Sequence, residues 1–333
     1  MLKKIFNQGA NILIIAQEGR LSYEAILFTL SLGVNSPELA KRLYIAEPRF
    51  TDLWQRDPRV KDREIRAMLE ASGANLVTFE SQHFGSTYPN GNKIEALRVL
   101  PKGEPFVFFD TDTLITDDLT AVPFDFSKPS ASMKREGTWP TIELYGPGYH
   151  EIWASLYVKF GMDVETALDP SQPIEFWQRY PYYNAGWFYY KCPAEFGTLY
   201  EKYAVAILKS PPKELACQKL DPWLDQVALP LVIHKLGGGP DLLNPGYLDG
   251  KTSCHYRLLP LLYAREPDRT VKLLEAISAP NPVKKILKQY DPFLRMIYQG
   301  RGAKVREIFD RDDLPVKEQA IRQKIKKAGF WMR

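Results

Sequence analysis

Apolar runs of strand length alternate with segments of helical periodicity in the first third of the chain. The strand-like runs cover residues 11–16, 43–46, 75–79 and 106–110, and the helix-like segments cover residues 21–32, 61–71 and 92–100. Repeated strand–helix units predict a mainly parallel sheet with helices on both faces. Ligands of such sheets bind beyond the carboxyl ends of the strands, so a functional site is expected at that edge.

The second half of the chain is less regular and more aromatic. Strands are predicted over residues 130–135 and 183–191, and helices over residues 149–160, 193–208 and 221–236. The last helix is predicted to have Asp221 as its N-cap, Pro222 at its first position and a kink at Pro230. With 333 residues, the chain has room for two domains or for one large α/β domain with an appendage.

Cysteine usage and the N-terminal segment predict a cytoplasmic location. Three widely spaced cysteines, Cys192, Cys217 and Cys254, form neither a disulfide framework nor a metal knuckle, which favours a reducing compartment. Residues 1–6 are positively charged, but the apolar run at residues 12–16 is too short for a signal peptide or a membrane span.

Positive charge is concentrated at the C-terminal end. Residues 281–333 contain 14 Lys and Arg against 6 Asp and Glu, although the net charge of the whole chain is only +4. A basic amphipathic helix that ends in aromatic residues suits a peripheral contact with an anionic membrane, at its inner, cytoplasmic face. The alternative is a solvated helical tail that packs on the body. No nucleic-acid partner is expected, because no recognised binding motif accompanies the charge.

The apolar run at residues 106–109 ends in two carboxylates, Asp110 and Asp112. Neighbouring carboxylates repel each other unless a cation or a proton lies between them, and Mg²⁺ or Mn²⁺ bound in this way keeps positions open for phosphate oxygens. The pattern alone is weak evidence, because Asp310 and Asp312 repeat it among charged residues. Its position after a buried-type strand is what favours a metal site.

Further segments follow this pair in a characteristic order. Lys93 opens a helix before it, and residues 183–187 (Tyr-Asn-Ala-Gly-Trp), residues 223–229 (Trp-Leu-Asp-Gln-Val-Ala-Leu) and His255 come after it. This order resembles the GT-A glycosyltransferases, in particular their retaining, glycogenin-like and lipopolysaccharide-sugar-transferase-like group. In that group the counterparts are the metal-binding DxD motif, a Phe-Asn-(Ala/Ser)-Gly strand, an Asp-Gln helix motif and a late histidine. The resemblance spans roughly residues 9–258.

The resemblance implies a Rossmann-like GT-A domain with a mixed, mainly parallel sheet and a basic helical C-terminal tail. Residues 1–125 would bind the nucleotide sugar, residues 126–265 would bind the acceptor, and residues 266–333 would form the extension. The implied activity is transfer of a sugar from a nucleotide-diphosphate donor, with UDP-sugars favoured, to a glycan or lipid-linked acceptor.

The resemblance also implies roles for individual residues. Mn²⁺ or Mg²⁺ would be held by Asp110, Asp112 and His255. The nucleotide sugar would also contact Gln17, Lys93, Thr111 and Gly186. Catalytic roles fall to Asn184, Asp225 and Gln226, and Trp139, Trp187 and Trp223 could stack on a sugar.

Each of these residue types also has an ordinary structural role. The aspartates could cap a turn, Lys93 could be a solvated helix lysine, His255 could be structural, and residues 184–186 could form a β-bulge.

Two departures from the family pattern bear on the mechanism. Val227 replaces a second acid, and the Gly-x-Lys-Pro-Trp segment that often follows the histidine is missing, so Arg257 or Lys251 is predicted to neutralise phosphate instead. Retention of the anomeric configuration is therefore a hypothesis.

Two other functions use the same residues. Residues 106–114 also resemble the first motif of haloacid-dehalogenase-like phosphatases, with Asp110 as nucleophile, although three strand candidates precede this one. A non-catalytic GT-A-like protein that binds nucleotide or glycan is the second alternative.

Overall fold

A computed structural model describes residues 9–134 and 139–332 of the chain. A six-stranded sheet lies at its centre, and two further strands pair with each other at its edge. The strands are β1 (Asn11–Ile15), β2 (Leu43–Pro48), β3 (Asn75–Phe79), β4 (Phe106–Phe109), β5 (Thr113–Ile115), β6 (Ser130–Ser132), β7 (Asn184–Tyr190) and β8 (Ser253–His255).

The order of the central sheet is β3-β2-β1-β4-β7-β6. The four strands from β3 to β4 run parallel, and β7 is antiparallel to both β4 and β6. The prediction of a mixed, mainly parallel sheet in an α/β domain is confirmed. β5 pairs antiparallel with β8, so Thr113 lies opposite His255.

Helices cover both faces of the sheet. They are α1 (Arg20–Asn35), α2 (Pro37–Ala40), α3 (Arg63–Ala71), α4 (Asn92–Glu95), α5 (Tyr149–Lys159), α6 (Pro193–Lys209), α7 (Leu224–Lys235), α8 (Leu259–Arg265), α9 (Asp268–Ser278), α10 (Asn281–Leu287), α11 (Asp291–Phe293), α12 (Arg301–Glu307) and α13 (Glu318–Lys327). None of the described helices is both long enough and apolar enough to cross a membrane.

Two hydrophobic clusters form the core, one on each face of the sheet. Ile12 and Ile14 of β1 belong to one cluster, and Leu13 and Ile15 belong to the other. Successive side chains of a strand point to opposite faces, so a strand that is covered on both sides is apolar throughout. This explains why the central strands read as continuous apolar runs.

The C-terminal helices complete the first of these clusters. Leu274 of α9, Ile286 of α10 and Ile325 of α13 are buried in the cluster that contains Ile12 and Ile14, and Phe330 and Trp331 pack against it. The C-terminal segment is therefore helical, as predicted, and the described part of it lies on the body of the molecule.

Several predicted boundaries differ from the observed ones. The helix predicted over residues 92–100 is α-helical only for Asn92–Glu95 and continues as a 3₁₀-helix, Ala96–Val99. Leu100 is extended because Pro101 follows it. β6 ends at Ser132, while Arg135 and residues 1–8 lie outside the described part of the chain.

The helix predicted to begin at Asp221 begins at Leu224 instead. The backbone N–H groups of Trp223 and Leu224 both donate to Leu220 O, at 2.6 and 2.7 Å. A tight turn thus occupies the positions at which Asp221 and Pro222 were predicted to start the helix. Pro230 lies inside this helix, as predicted.

Candidate metal and nucleotide-sugar site

Asp110, Asp112 and His255 meet at the carboxyl edge of the central sheet. The two aspartates follow β4 directly, and the pairing of β5 with β8 brings His255 back beside them. His255 Nε2 lies 3.1 Å from Asp112 Oδ1 and 3.8 Å from Asp110 Oδ2. One ligand atom from each residue can be chosen so that all three lie within 4.8 Å of one another.

Gly186 of β7 provides the space for the histidine. A Cβ atom at this position would lie 2.3 Å from His255 Nδ1, so a larger residue would displace the imidazole ring. Gly186 O accepts a hydrogen bond of 2.8 Å from the Asp110 backbone N–H, and Asn184 Oδ1 accepts one of 2.8 Å from the Gly186 N–H. The Asn-Ala-Gly segment therefore shapes the backbone beside the metal ligands.

The donor set fits a divalent cation. Two carboxylates and one imidazole suit Mn²⁺ and, with more water in the shell, Mg²⁺. Burial alone would raise the pKa of the Asp112 carboxyl, but His255, Arg20 and Lys93 together lower it below its ordinary value. A carboxylate that stays ionised at neutral pH is ready to bind a cation.

Lys93 connects the metal ligands to α7. Its Nζ lies 2.8 Å from Asp110 Oδ1 and 3.1 Å from Asp225 Oδ2, and it donates to Ala185 O at 3.3 Å. Burial lowers the pKa of Lys93, but the two carboxylates outweigh this effect and raise it above its ordinary value. Lys93 is therefore a buried, charged residue that fixes Asp110, and it is not the solvated helix lysine of the structural alternative.

Asp225 and Gln226 lie in the first turn of α7. Asp225 is 1% exposed, and its Oδ1 accepts a hydrogen bond of 2.7 Å from the Tyr88 hydroxyl. Gln226 Oε1 accepts one of 2.6 Å from the Tyr182 hydroxyl. Asp225 is thus held by Lys93 and Tyr88, while Gln226 is held by Tyr182, which lies just before β7.

A cavity of about 240 Å³ opens beside the metal ligands. Gln17, Arg20, Lys93 and the segment 110–112 are part of its lining. Gln17 Oε1 accepts a hydrogen bond of 3.3 Å from Asn92, and the Thr111 hydroxyl donates to Ile15 O. The structure thus brings Gln17, Lys93, Asp110, Thr111 and Asp112 to one cavity, with Gly186 and His255 behind the aspartates.

Sequence reasoning missed three polar residues of this region, namely Arg20, Glu24 and Tyr88. Arg20 Nη1 lies 3.8 Å from Asp112 Oδ2 and 3.5 Å from Glu24 Oε1. Arg20 starts the helix after β1, and β1 is adjacent to β4 in the sheet. Adjacent parallel strands end at the same edge of the sheet, so the position of Arg20 just after β1 could have indicated that it lies near Asp112.

Other predicted contributors lie elsewhere. Trp139 and Trp187 are buried, and the Trp187 indole N–H donates to Asp249 Oδ1 at 3.0 Å, so neither ring is free to stack on a sugar. Trp223 is half-buried. Lys251 pairs with Asp117 at 3.1 Å and Arg257 with Glu318 at 3.7 Å.

Several solved structures that the chain resembles are glycosyltransferases. The chain resembles the galactosyltransferase LgtC in complex with donor and acceptor sugar analogs, at 13% identity over 67% of this chain and 70% of that one (TM-score 0.39). It resembles the apo bifunctional glycosyltransferase WbbM at 17% identity over 84% of this chain and 52% of that one (TM-score 0.43). For apo mouse xyloside xylosyltransferase 1 the identity is 10% over 72% and 86% of the chains (TM-score 0.38).

A sequence search of curated proteins gives no significant match. The model of the Rhodobacterales glycosyltransferase domain, in contrast, matches residues 12–237, which is more than half of the chain. With this match and the fold described above, the chain belongs to the Rhodobacterales glycosyltransferase domain family.

Proposed function

We propose that this glycosyltransferase is metal-dependent and transfers a sugar from a nucleotide-diphosphate donor, UDP-sugars being favoured, to a glycan or lipid-linked acceptor. The observation that carries the proposal is the convergence of Asp110, Asp112 and His255 beside a cavity at the carboxyl edge of the sheet. Residues 1–125 would bind the donor and residues 126–265 the acceptor, with 266–333 as the extension.

Asp110, Asp112 and His255 would hold Mn²⁺ or Mg²⁺. The metal would neutralise charge on the diphosphate as it leaves the sugar. Lys93 keeps Asp110 in place, Asp225 keeps Lys93 in place, and Tyr88 in turn holds Asp225. This buried chain of contacts pre-organises the first aspartate, so little reorganisation is needed when the metal and donor bind.

Asn184 and Gln226 would contact the donor sugar, while Asp225 would act indirectly, by holding the Lys93 that fixes Asp110. In the transfer step the acceptor oxygen bonds to the anomeric carbon as the bond from that carbon to the phosphate oxygen breaks. The electron pair goes to the diphosphate, and the hydroxyl proton passes to the same departing oxygen. If the acceptor attacks from the same face of the sugar that the diphosphate leaves, the product retains the anomeric configuration of the donor. NMR of donor and product anomers tests this, and an inverted product would overturn it.

The binding experiment uses a panel of UDP, GDP, CDP and ADP, each with and without Mn²⁺. At least one diphosphate should stabilise the protein in the presence of Mn²⁺, by about 2.7 kcal/mol at a hundredfold excess over Kd. Asp112→Asn should remove the metal-dependent part of this gain. Asp312→Asn is the matched control, because Asp312 belongs to the exposed second Asp-x-Asp and should leave the gain unchanged.

Two outcomes contradict the proposal. In the first, no nucleotide of the panel stabilises the wild type. In the second, Asp112→Asn and Asp312→Asn behave alike. No observation favours the phosphatase, since the strand that Asp110 follows is the fourth of the described strands. Nor does any observation favour a non-catalytic protein.

A peripheral contact with an anionic membrane is the proposed setting for a lipid-linked acceptor. Lys324, Lys326 and Lys327 lie exposed on α13 and support it. Aromatic insertion is not part of the proposal, because Phe330 and Trp331 pack on the body. Co-sedimentation with phosphatidylserine vesicles should fall steeply with salt. Absence of binding at low salt would contradict it. The cytoplasmic location stays a prediction.

A further inference from the structure

We propose that Arg20 binds the diphosphate of the donor and that Glu24 is its positioning residue. This inference rests on the proposed function, because it assumes that a nucleoside diphosphate occupies the cavity beside Asp110 and Asp112. It adds to that proposal a phosphate-binding side chain on α1, an element that the resemblance to known glycosyltransferases did not point to.

Arg20 has the position and the free donors that such a role needs. Its side chain is 34% exposed and lines the cavity that also contains Lys93, Asp110 and Asp112. Its contacts to Asp112, to Glu24 and to Arg257 O (3.0 Å) all involve Nη1. Nε and Nη2 have no hydrogen-bond partner among the described residues. A guanidinium offers two parallel donors to a phosphate in this geometry.

Three other cations of the described residues, Lys93, Arg257 and Lys251, already have partners of their own. Lys93 has three donors and three acceptors, namely Asp110, Asp225 and Ala185 O. Arg257, which was predicted to neutralise phosphate, extends toward Glu318, and Lys251 extends toward Asp117. Of these four described cations, Arg20 is the one that keeps donors available beside the metal ligands.

Glu24 lies one helical turn after Arg20 on α1 and supports it from the buried side. It is 1% exposed, and its Oε1 lies 3.5 Å from Arg20 Nη1, while its Oε2 has no partner within the described chain. A metal ion bound to Asp112 would compete with Arg20 for the Asp112 carboxylate, which now lies 3.8 Å from Arg20 Nη1. Glu24 and the Arg257 carbonyl would then keep the guanidinium facing the cavity.

The test compares diphosphates with monophosphates. Affinities of UDP, GDP, CDP and ADP, and of the four corresponding monophosphates, are measured by calorimetry with saturating Mn²⁺. Arg20→Gln should weaken the best diphosphate about tenfold and its monophosphate less than about twofold, since one charged hydrogen-bonding group is lost. The diphosphate affinity of Arg20→Lys should lie between those of the wild type and Arg20→Gln, because a lysine keeps the charge and loses the paired donors.

The positioning role has its own readout. Glu24→Ala should lower the ratio of diphosphate to monophosphate affinity several-fold, and Glu24→Gln, which keeps an acceptor oxygen, should lower it less. Arg42→Gln is the matched control: Arg42 is 39% exposed and pairs with Glu104, and it contacts the amino end of β1 at Gly9 O. Its ratio should equal that of the wild type.

The outcomes separate the two proposals. If the wild type binds no diphosphate of the panel with Mn²⁺, the proposed function fails and the inference fails with it. If the wild type prefers a diphosphate and Arg20→Gln keeps the full preference, the roles of Arg20 and Glu24 are overturned and the proposed function stands. An unchanged ratio in Glu24→Ala, with a reduced ratio in Arg20→Gln, overturns the role of Glu24 alone.

Discussion

At the scale of single residues, the site contains two acids, Glu24 and Asp112, whose pKa values are shifted in opposite directions. Burial raises the pKa of Glu24 well above its ordinary value, and Asp112 adds to this effect while Arg20 opposes it. Asp112 has a lowered pKa because His255, Arg20 and Lys93 outweigh its burial. The two acids therefore differ in opposite directions: the pKa of Glu24 is raised and that of Asp112 is lowered, which suits Asp112 to a cation.

The raised pKa of Glu24 predicts how stability depends on pH. The folded protein retains a proton that the unfolded chain loses, so the stability contributed by Glu24 falls as pH rises from its unfolded pKa toward its folded pKa. Each pH unit in this window costs about 1.4 kcal/mol. Glu24→Gln cannot ionise, so in EDTA its melting temperature should exceed that of the wild type by an amount that grows with pH.

Glu47→Gln is the control for this prediction. Glu47 is equally buried, but Arg66 holds both of its oxygens at 2.8 and 2.9 Å, so its removal should lower the melting temperature at neutral pH. If Glu24→Gln and the wild type have the same melting temperature at every pH, the raised pKa of Glu24 is contradicted.

At the scale of elements, a buried carboxylate adds to the apolar contacts that attach α13 to the body. Glu318 is 6% exposed and pairs with Arg257, Arg265 and Arg322. Burial raises the pKa of Glu318, but the three guanidinium groups outweigh burial and lower it below its ordinary value. Its contribution to stability is therefore present above the unfolded pKa and is lost as pH falls through the folded pKa.

Glu318→Gln should lower the free energy of unfolding by about 3 kcal/mol at neutral pH, because three arginines lose their shared counter-charge. The loss should shrink at low pH, where the wild-type carboxylate is protonated as well. Glu266→Gln is the matched control, since Glu266 contacts Arg265 but not the other two guanidinium groups, and a smaller loss is expected. Chemical denaturation of both variants measures the difference. Equal losses in both would argue against the three-arginine cluster.

The strand and helix pattern of the first half could be read from the sequence because its central strands are covered on both faces. The ends of the fully buried strands β1 and β4 were predicted within one residue. The edge strand β3 is partly exposed, and its bounds, residues 75–79, were predicted as observed. The start of α7 was missed because a turn at Leu220 O captures the N–H groups that an N-cap at Asp221 would have organised. Tertiary contacts hold the same turn, because the Tyr88 hydroxyl and the Asn90 side-chain amide donate to Pro222 O, and local composition does not reveal them.

At the scale of the whole molecule, the site depends on one contact between distant segments. β5 and β8 pair although 138 residues separate Ser253 from Ile115, and this pairing sets His255 beside Asp112. The order of motifs suggested that the histidine belongs to the site, but no local pattern fixes its register. Arg20 was missed for a related reason, since its proximity to Asp112 follows from the adjacency of β1 and β4.

The C-terminal extension provides the last prediction at this scale. Its helices share a hydrophobic cluster with β1, so the tail and the sheet should unfold together in one transition. Leu274 of α9 is fully buried in that cluster, and Leu274→Ala should cost about 2–5 kcal/mol of unfolding free energy. Val316→Ala, at a fully exposed apolar residue, is the control and should change it by less than about 0.5 kcal/mol.

Hydrogen exchange distinguishes a shared core from an appended tail. In Leu274→Ala the amides of β1 and those of α9 should exchange faster by the same factor, because both are protected by the same global unfolding. Faster exchange confined to residues 268–327, with β1 unchanged, would mean that the extension unfolds by itself. In that case the tail could leave the body without opening the metal site. If both elements respond together, any partner that pulls the tail away must also expose the face of the sheet behind Asp110 and Asp112.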